Sequence, residues 1–166
     1  MKIVWIVLAV LLVVPLALYT WSRISPKALT STVEIDASPQ RVWNVLTDFR
    51  SYPEWNPFIV KAEGTATVDS QLKNTLNSNG STMEFEPTVL VADAGRELRW
   101  LGRFRLPGIV DGEHYFLIEE VSPGRTRLTQ GETFTGFLVP VAGKSLDVES
   151  GFAAMNTALK ARAENG

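Results

Sequence analysis

Three polar side chains on otherwise apolar strand faces are the residues of this sequence best placed to do chemistry. His114, the single histidine, shares one face of the segment GEHYFLIEE with Phe116 and Ile118, opposite Glu113, Tyr115, Leu117 and Glu119, because alternate residues of a strand point the same way. In RTRLTQGETFTGFL the same rule groups Leu128, Gln130, Glu132 and Phe134 against Arg127, Thr129, Thr133 and Thr135. If these strands are antiparallel neighbours, His114 comes beside Glu132 or Gln130. An imidazole against a carboxylate can pass protons, so His114 and Glu132 are the catalytic candidates. The ordinary reading carries more weight: a partly buried polar cluster that satisfies its own hydrogen bonds.

The apolar neighbours of these groups are the candidate ligand contacts. Leu98, Trp100, Gly102 and Phe104 alternate with Arg99, Leu101, Arg103 and Arg105, so the basic face is the wet one. Met83 and Phe85 extend the inward lining, with Glu84 and Glu86 outward. Trp55 and Phe58 in SYPEWNPF and Phe152 and Met155 in the last helix complete the set. Rings at strand spacing are ordinary core, and in a fold with a cavity the same rings become its walls. The arginine face is read as solvated, with proximity to anionic lipid headgroups as its alternative.

Other chemistries are excluded. Without cysteine there is no disulfide framework, zinc–thiolate site or thiol nucleophile, and one histidine cannot build a His-rich metal site. No phosphate loop, dinucleotide-binding glycine motif, HExxH or GxSxG stands in the chain, so neither metal nor cofactor is expected. A net charge of -2 gives no general attraction to nucleic acid.

The elements that must position these residues are legible in the patterning. At 166 residues, 45% hydrophobic and 20% charged, the chain suits one globular domain after a short N-terminal segment. Thr30 to Asp36 alternates as a first strand. Ser38 can cap a helix with Pro39 in its first turn, and Val42, Val45, Leu46 and Phe49 recur on one face until about Asp48. Two prolines break the chain between Ser51 and Phe58. Extended segments then follow at 58–66, 69–78, 81–91, 96–105, 111–121 and 125–137, with turns at Asn79-Gly80, Asp93-Ala94-Gly95, Pro107-Gly108 and Ser122-Pro123-Gly124. Lys144 to Glu164 closes the chain as a long amphipathic helix with Val148, Phe152, Met155 and Leu159 in one stripe. This order is α+β.

The N-terminus has a different character. From Ile3 to Ser22 no charged residue occurs, Trp5 lies near one end, and Tyr19 and Trp21 near the other, as in a single membrane-spanning helix over residues 1–22 with membrane contact through 3–22. A cleaved signal is disfavoured because Ala17-Leu18-Tyr19 lacks a small residue where cleavage needs one. Lys2 on one side and Arg23 and Lys27 on the other nearly balance, so charge assigns no orientation. Residues 23–29 read as a linker and 30–164 as the domain.

Taken together, VEIDASPQRVWNVLTDFRSYPEWNPF, GEHYFLIEE, RTRLTQGETFTGFL and GFAAMNTALKARAE resemble the SRPBCC group, which comprises START-related, polyketide cyclase/dehydrase and lipid-transport-like proteins. That resemblance covers residues 30–164. It implies a helix-grip fold, in which a curved antiparallel sheet wraps a long C-terminal helix around a deep hydrophobic cavity. It also implies a lipid, sterol, polyketide or other apolar molecule as the partner. The preferred expectation is a membrane-tethered module that binds or transfers such a molecule without turnover. A cyclase or hydratase using His114 and Glu132 is the second expectation, and a partner-binding regulatory domain the third, because a fold does not fix a function.

Overall fold

A computed structural model describes residues 2–78 and 80–166. The N-terminal helix α1 (Lys2–Ile24) is followed by β1 (Lys27–Ile35), α2 (Pro39–Thr47) and the single turn α3 (Tyr52–Trp55). Next come β2 (Ile59–Glu63), β3 (Lys73–Ser78), β4 (Ser81–Phe85), β5 (Thr88–Asp93), β6 (Glu97–Arg103), β7 (Asp111–Ser122), β8 (Arg125–Thr135) and α4 (Glu149–Asn165). All strand pairings are antiparallel, in the orders β1-β8-β7-β6-β5 and β2-β3-β4. Of the turn expected at Asn79-Gly80, Asn79 lies outside the described residues.

The local chemistry explains why α2 starts and stops where it does. The Ser38 hydroxyl accepts a hydrogen bond from the Arg41 amide at 3.3 Å, and Pro39 occupies the first turn, where its missing N–H costs nothing. Val42, Trp43, Val45 and Leu46 are buried. After the helix, buried Tyr52 donates its hydroxyl to Leu46 O at 2.6 Å, and Asn56 Oδ1 accepts from the amides of Phe58 and Ile59. These bonds turn the chain out of α3 and into β2.

The segment read as one strand over 81–91 is interrupted. Pro87 has no N–H for a ladder, so β4 ends at Phe85 and β5 starts at Thr88. The two sheets stay joined through the chain ahead of β3. Pro87 O accepts from Leu72 N, and Val89 exchanges backbone bonds with Ser70 and Asp69, each at 2.9 Å. The result is one curved antiparallel surface made of two sheets.

α4 lies along β1 and runs in the same direction. Asn156 Nδ2 donates to Ser31 O at 3.2 Å, Lys160 Nζ to Glu34 O at 2.7 Å, and Asp36 N to Glu164 Oε1 at 2.7 Å. Phe152, Met155, Asn156, Leu159 and Ala163 form its buried stripe. The helix begins later than Lys144, because Gly143–Leu146 is 3₁₀ and Asp147 leaves helical dihedrals at ψ 88°. The segment expected as a linker is also shorter. Helix continues to Ile24 and strand begins at Lys27, with only Ser25 and Pro26 between.

α1 is long and apolar enough to cross a membrane, with a mean hydropathy of 2.7 and no buried residue in its most apolar stretch. Its last turns pack on the domain. Ser22, fully buried, accepts from the Gly136 amide at 2.9 Å and donates to Tyr19 O at 2.8 Å.

Candidate functional site

The register of three neighbouring strands builds the site. His114 of β7 faces Trp100 on β6 and Glu132 on β8, and Phe116 faces Gln130. Because facing residues share a side of the sheet, all five project together toward α4. His114 is 4% exposed. Its ring stacks on Trp100 at 4.9 Å and 10° and meets Phe152 edge-on at 5.0 Å, with Phe116 at 4.8 Å.

Both imidazole nitrogens have polar partners. Gln130 Nε2 lies 3.1 Å from His114 Nε2, and Glu132 Oε2 lies 3.4 Å from His114 Nδ1. An amide nitrogen only donates and a carboxylate only accepts. The arrangement therefore selects the tautomer protonated on Nδ1, with the Nε2 lone pair turned to Gln130. The same amide nitrogen reaches Met155 Sδ on α4 at 3.6 Å, which ties the cluster to the helix. Gln130 Oε1 is buried without a hydrogen-bond partner among the described residues. Glu132 keeps a side-chain exposure of 18%, so the carboxylate end of the cluster opens toward solvent while the amide end is sealed.

Glycine makes the carboxylate position available. A Cβ on Gly112 would collide with Glu132 Oε1, so only the bare backbone leaves room for this rotamer. Sequence reasoning did not single out Gly112. A strand glycine directly before Glu113 and His114 is the signal that marks it.

Most of the other expected contacts gather around the same ring. Trp100, Phe116, Phe152 and Met155 are each at most 2% exposed, and Phe134 is buried beside Gly112. Phe58 meets Phe152 edge-on at 5.7 Å and forms the next layer. Phe85 is half-buried against Gly102.

Three expected contacts lie elsewhere. Phe104 is 53% exposed, because β6 ends at Arg103 and Arg105 takes a positive φ of 63°, which ends the alternation that would have turned Phe104 inward. Met83 is 56% exposed on β4, the edge strand of the smaller sheet. Trp55 donates to Ser51 Oγ and lines an open groove of about 720 Å³ between α2 and the end of α4, with Arg41 and Arg162.

The interior also differs from the deep cavity that the family resemblance implied. Trp100, Phe116, Phe152 and Met155 are buried between sheet and α4, and the rings of the first three lie 4.8–5.0 Å from that of His114. A smaller concavity of about 260 Å³ opens at the start of α4, lined by Phe58, Val148 and Gly151 among others. The Phe58–Phe152 pair separates it from His114.

The expected arginine face divides in two. Arg99 is held between Glu97 and Glu113 and lies 5.2 Å from the centre of the Tyr115 ring. Arg103 and Arg105 are exposed and form no ion pair among the described residues.

Comparison with solved structures places this architecture among known ones. The Zhui aromatase/cyclase from Streptomyces sp. R1128 superposes with a TM-score of 0.70 at 18% identity, over 84% of this chain and 94% of that one. A START superfamily protein from Mycobacterium smegmatis gives 0.61 at 22% identity, over 82% and 97%. Norcoclaurine synthase from Thalictrum flavum, in complex with a transition-state analogue, gives 0.65 at 14% identity, over 83% and 94%. Identities this low speak to the shared fold alone. Comparison with curated proteins gives no match. The family described as polyketide cyclase/dehydrase and lipid transport matches residues 27–164, from the first residue of β1 to the last turn of α4, and the chain belongs to that family.

Proposed function

We propose that the domain binds an apolar small molecule or lipid between the sheet and α4, with His114, Gln130 and Glu132 as its polar handle and α1 as a membrane tether. The observation that carries this reading is the buried polar cluster inside an aromatic wall, with Gln130 Oε1 lacking a hydrogen-bond partner among the described residues. Leaving a buried acceptor unpaired costs about 1–3 kcal/mol, so a ligand hydroxyl donating to Oε1 would recover that cost. Entry proceeds from the concavity at the start of α4 and displaces Phe152 and Phe58, which now close over His114. Native mass spectrometry of the protein taken from its host membrane tests the reading. Co-purification of an apolar molecule is expected, and its loss in a Phe152→Trp variant locates the molecule. Protein that carries nothing and takes up no fatty acid, sterol or quinone analogue argues against binding.

A second reading has its own observation. The Glu132–His114 pair, one carboxylate on one imidazole, has the geometry of a proton relay for cyclisation or dehydration of the bound molecule. Family membership and the aromatase/cyclase and synthase named among the similar structures support considering it. His114→Ala and Glu132→Gln separate the two readings once a ligand is known. Turnover lost with binding retained favours catalysis, and binding lost with no turnover to lose favours the module.

A further inference from the structure

The end of the domain nearest α1 carries exposed apolar and basic side chains that the fold itself does not use. Tyr19 follows the apolar run of α1, at the depth where a phenol ring prefers the headgroup region of a bilayer. Its ring packs against Gly108 in the β6–β7 loop, and Ser22, one helical turn further on, accepts the Gly136 amide at the end of β8. These contacts put the β6–β7 loop and the segment after β8 at the membrane depth that Tyr19 marks. In those two segments Phe104 is 53% exposed, Leu106 64% and Val141 65%. Beside them Arg103 and Arg105 form no ion pair among the described residues, and the Arg105 guanidinium lies 5.6 Å from the centre of the Phe104 ring. Arg23, Lys27 and Lys144 add positive charge at the same end. Asp111, which faces Arg103 in the β6–β7 register, accepts from the Gly108 amide at 3.0 Å, and Asp147 and Glu149 are the exposed acids at the start of α4.

We infer that this end docks on the bilayer surface: Phe104, Leu106 and Val141 enter the headgroup–acyl boundary, and Arg103 and Arg105 pair with anionic lipid phosphates. Apolar side chains ringed by cations are the composition that binds such an interface. The inference rests on the reading of α1 as a membrane tether and adds to it an orientation. β7 starts at this end, at Asp111, and its far end at Ser122 lies roughly 36 Å along the strand from it. His114 lies three residues from the near end. α4 runs parallel to β1, so the concavity at its start opens at the same end. An apolar ligand then passes between bilayer and site without crossing water.

Because the chain has no cysteine, single-cysteine variants carrying an environment-sensitive fluorophore test this directly. The full chain is reconstituted in phosphatidylcholine–phosphatidylglycerol vesicles containing nitroxide-labelled lipid. The fluorophore is attached at Leu106→Cys, Val141→Cys, the far-end control Ser122→Cys or the α1 control Val10→Cys. Quenching at positions 106 and 141 severalfold stronger than at 122, with position 10 also quenched, is the expected result. Quenching at position 10 with 106 and 141 no different from 122 overturns the docking surface and leaves the tether standing. An unquenched position 10 removes the tether, and the docked orientation with it.

Discussion

His114 is held between a donor and an acceptor, which makes its neighbours easier to test than the ring itself. Gly112→Ala places a methyl where Glu132 Oε1 now lies, so the carboxylate must swing away from Nδ1. The expected cost is about 1–3 kcal/mol, as for a side chain added to a packed site. A change in the histidine nitrogen chemical shifts would show the lost contact, and unchanged shifts would mean that Glu132 does not hold the tautomer. Tyr52 offers a pH-dependent test away from the site. Burial, and secondarily the Asp48 charge, push its phenol far above its ordinary value. The unfolded chain ionises near pH 10 and the native protein does not, so this stabilisation is complete below about pH 10 and falls as pH rises beyond it. Tyr52→Phe should therefore flatten the alkaline limb of a stability–pH profile while lowering stability at neutral pH by about 1 kcal/mol for the lost bond to Leu46 O.

At the scale of elements, helix caps and strand breaks set the boundaries, and burial sets the energies. Ser38→Ala removes the acceptor for the Arg41 amide and should cost about 1 kcal/mol in denaturant unfolding. Phe152→Ala opens the layer between Phe58 and His114. A loss of about 3–5 kcal/mol is expected from the cavity it leaves, unless an apolar ligand present in the experiment fills it. That exception is informative, because a smaller loss in the presence of a candidate ligand reports binding at this layer. Element types were legible in the sequence because alternation and helical stripes follow from which face meets the core. Their ends were less so. Pro87 marked the break between β4 and β5 by its missing N–H, whereas nothing local in Arg103-Phe104-Arg105 announced that the strand would stop before Phe104.

For the molecule as a whole, the short connection between α1 and β1 changes the picture from a domain on a tether to a domain fixed against its helix. Ser22→Ala should free the Gly136 amide and speed its hydrogen exchange, with exchange in the middle of β7 unchanged; equal protection in both proteins would mean that the latch carries no weight. The sequence by itself determined the α+β class, the long apolar helix at the N-terminus, and the inward sets containing His114, Gln130 and Glu132. Each of these depends on a local period or on alternation within one strand. Only the tertiary structure decided that His114 pairs directly with Glu132 while Gln130 caps its other nitrogen, because register between strands is a non-local property. It likewise buried Trp100, Phe152 and Met155 around that ring, turned Phe104 outward, and left Gln130 Oε1 without a hydrogen-bond partner among the described residues. Those outcomes depend on which residues distant in the chain compete for the same space, and no single segment carries that information.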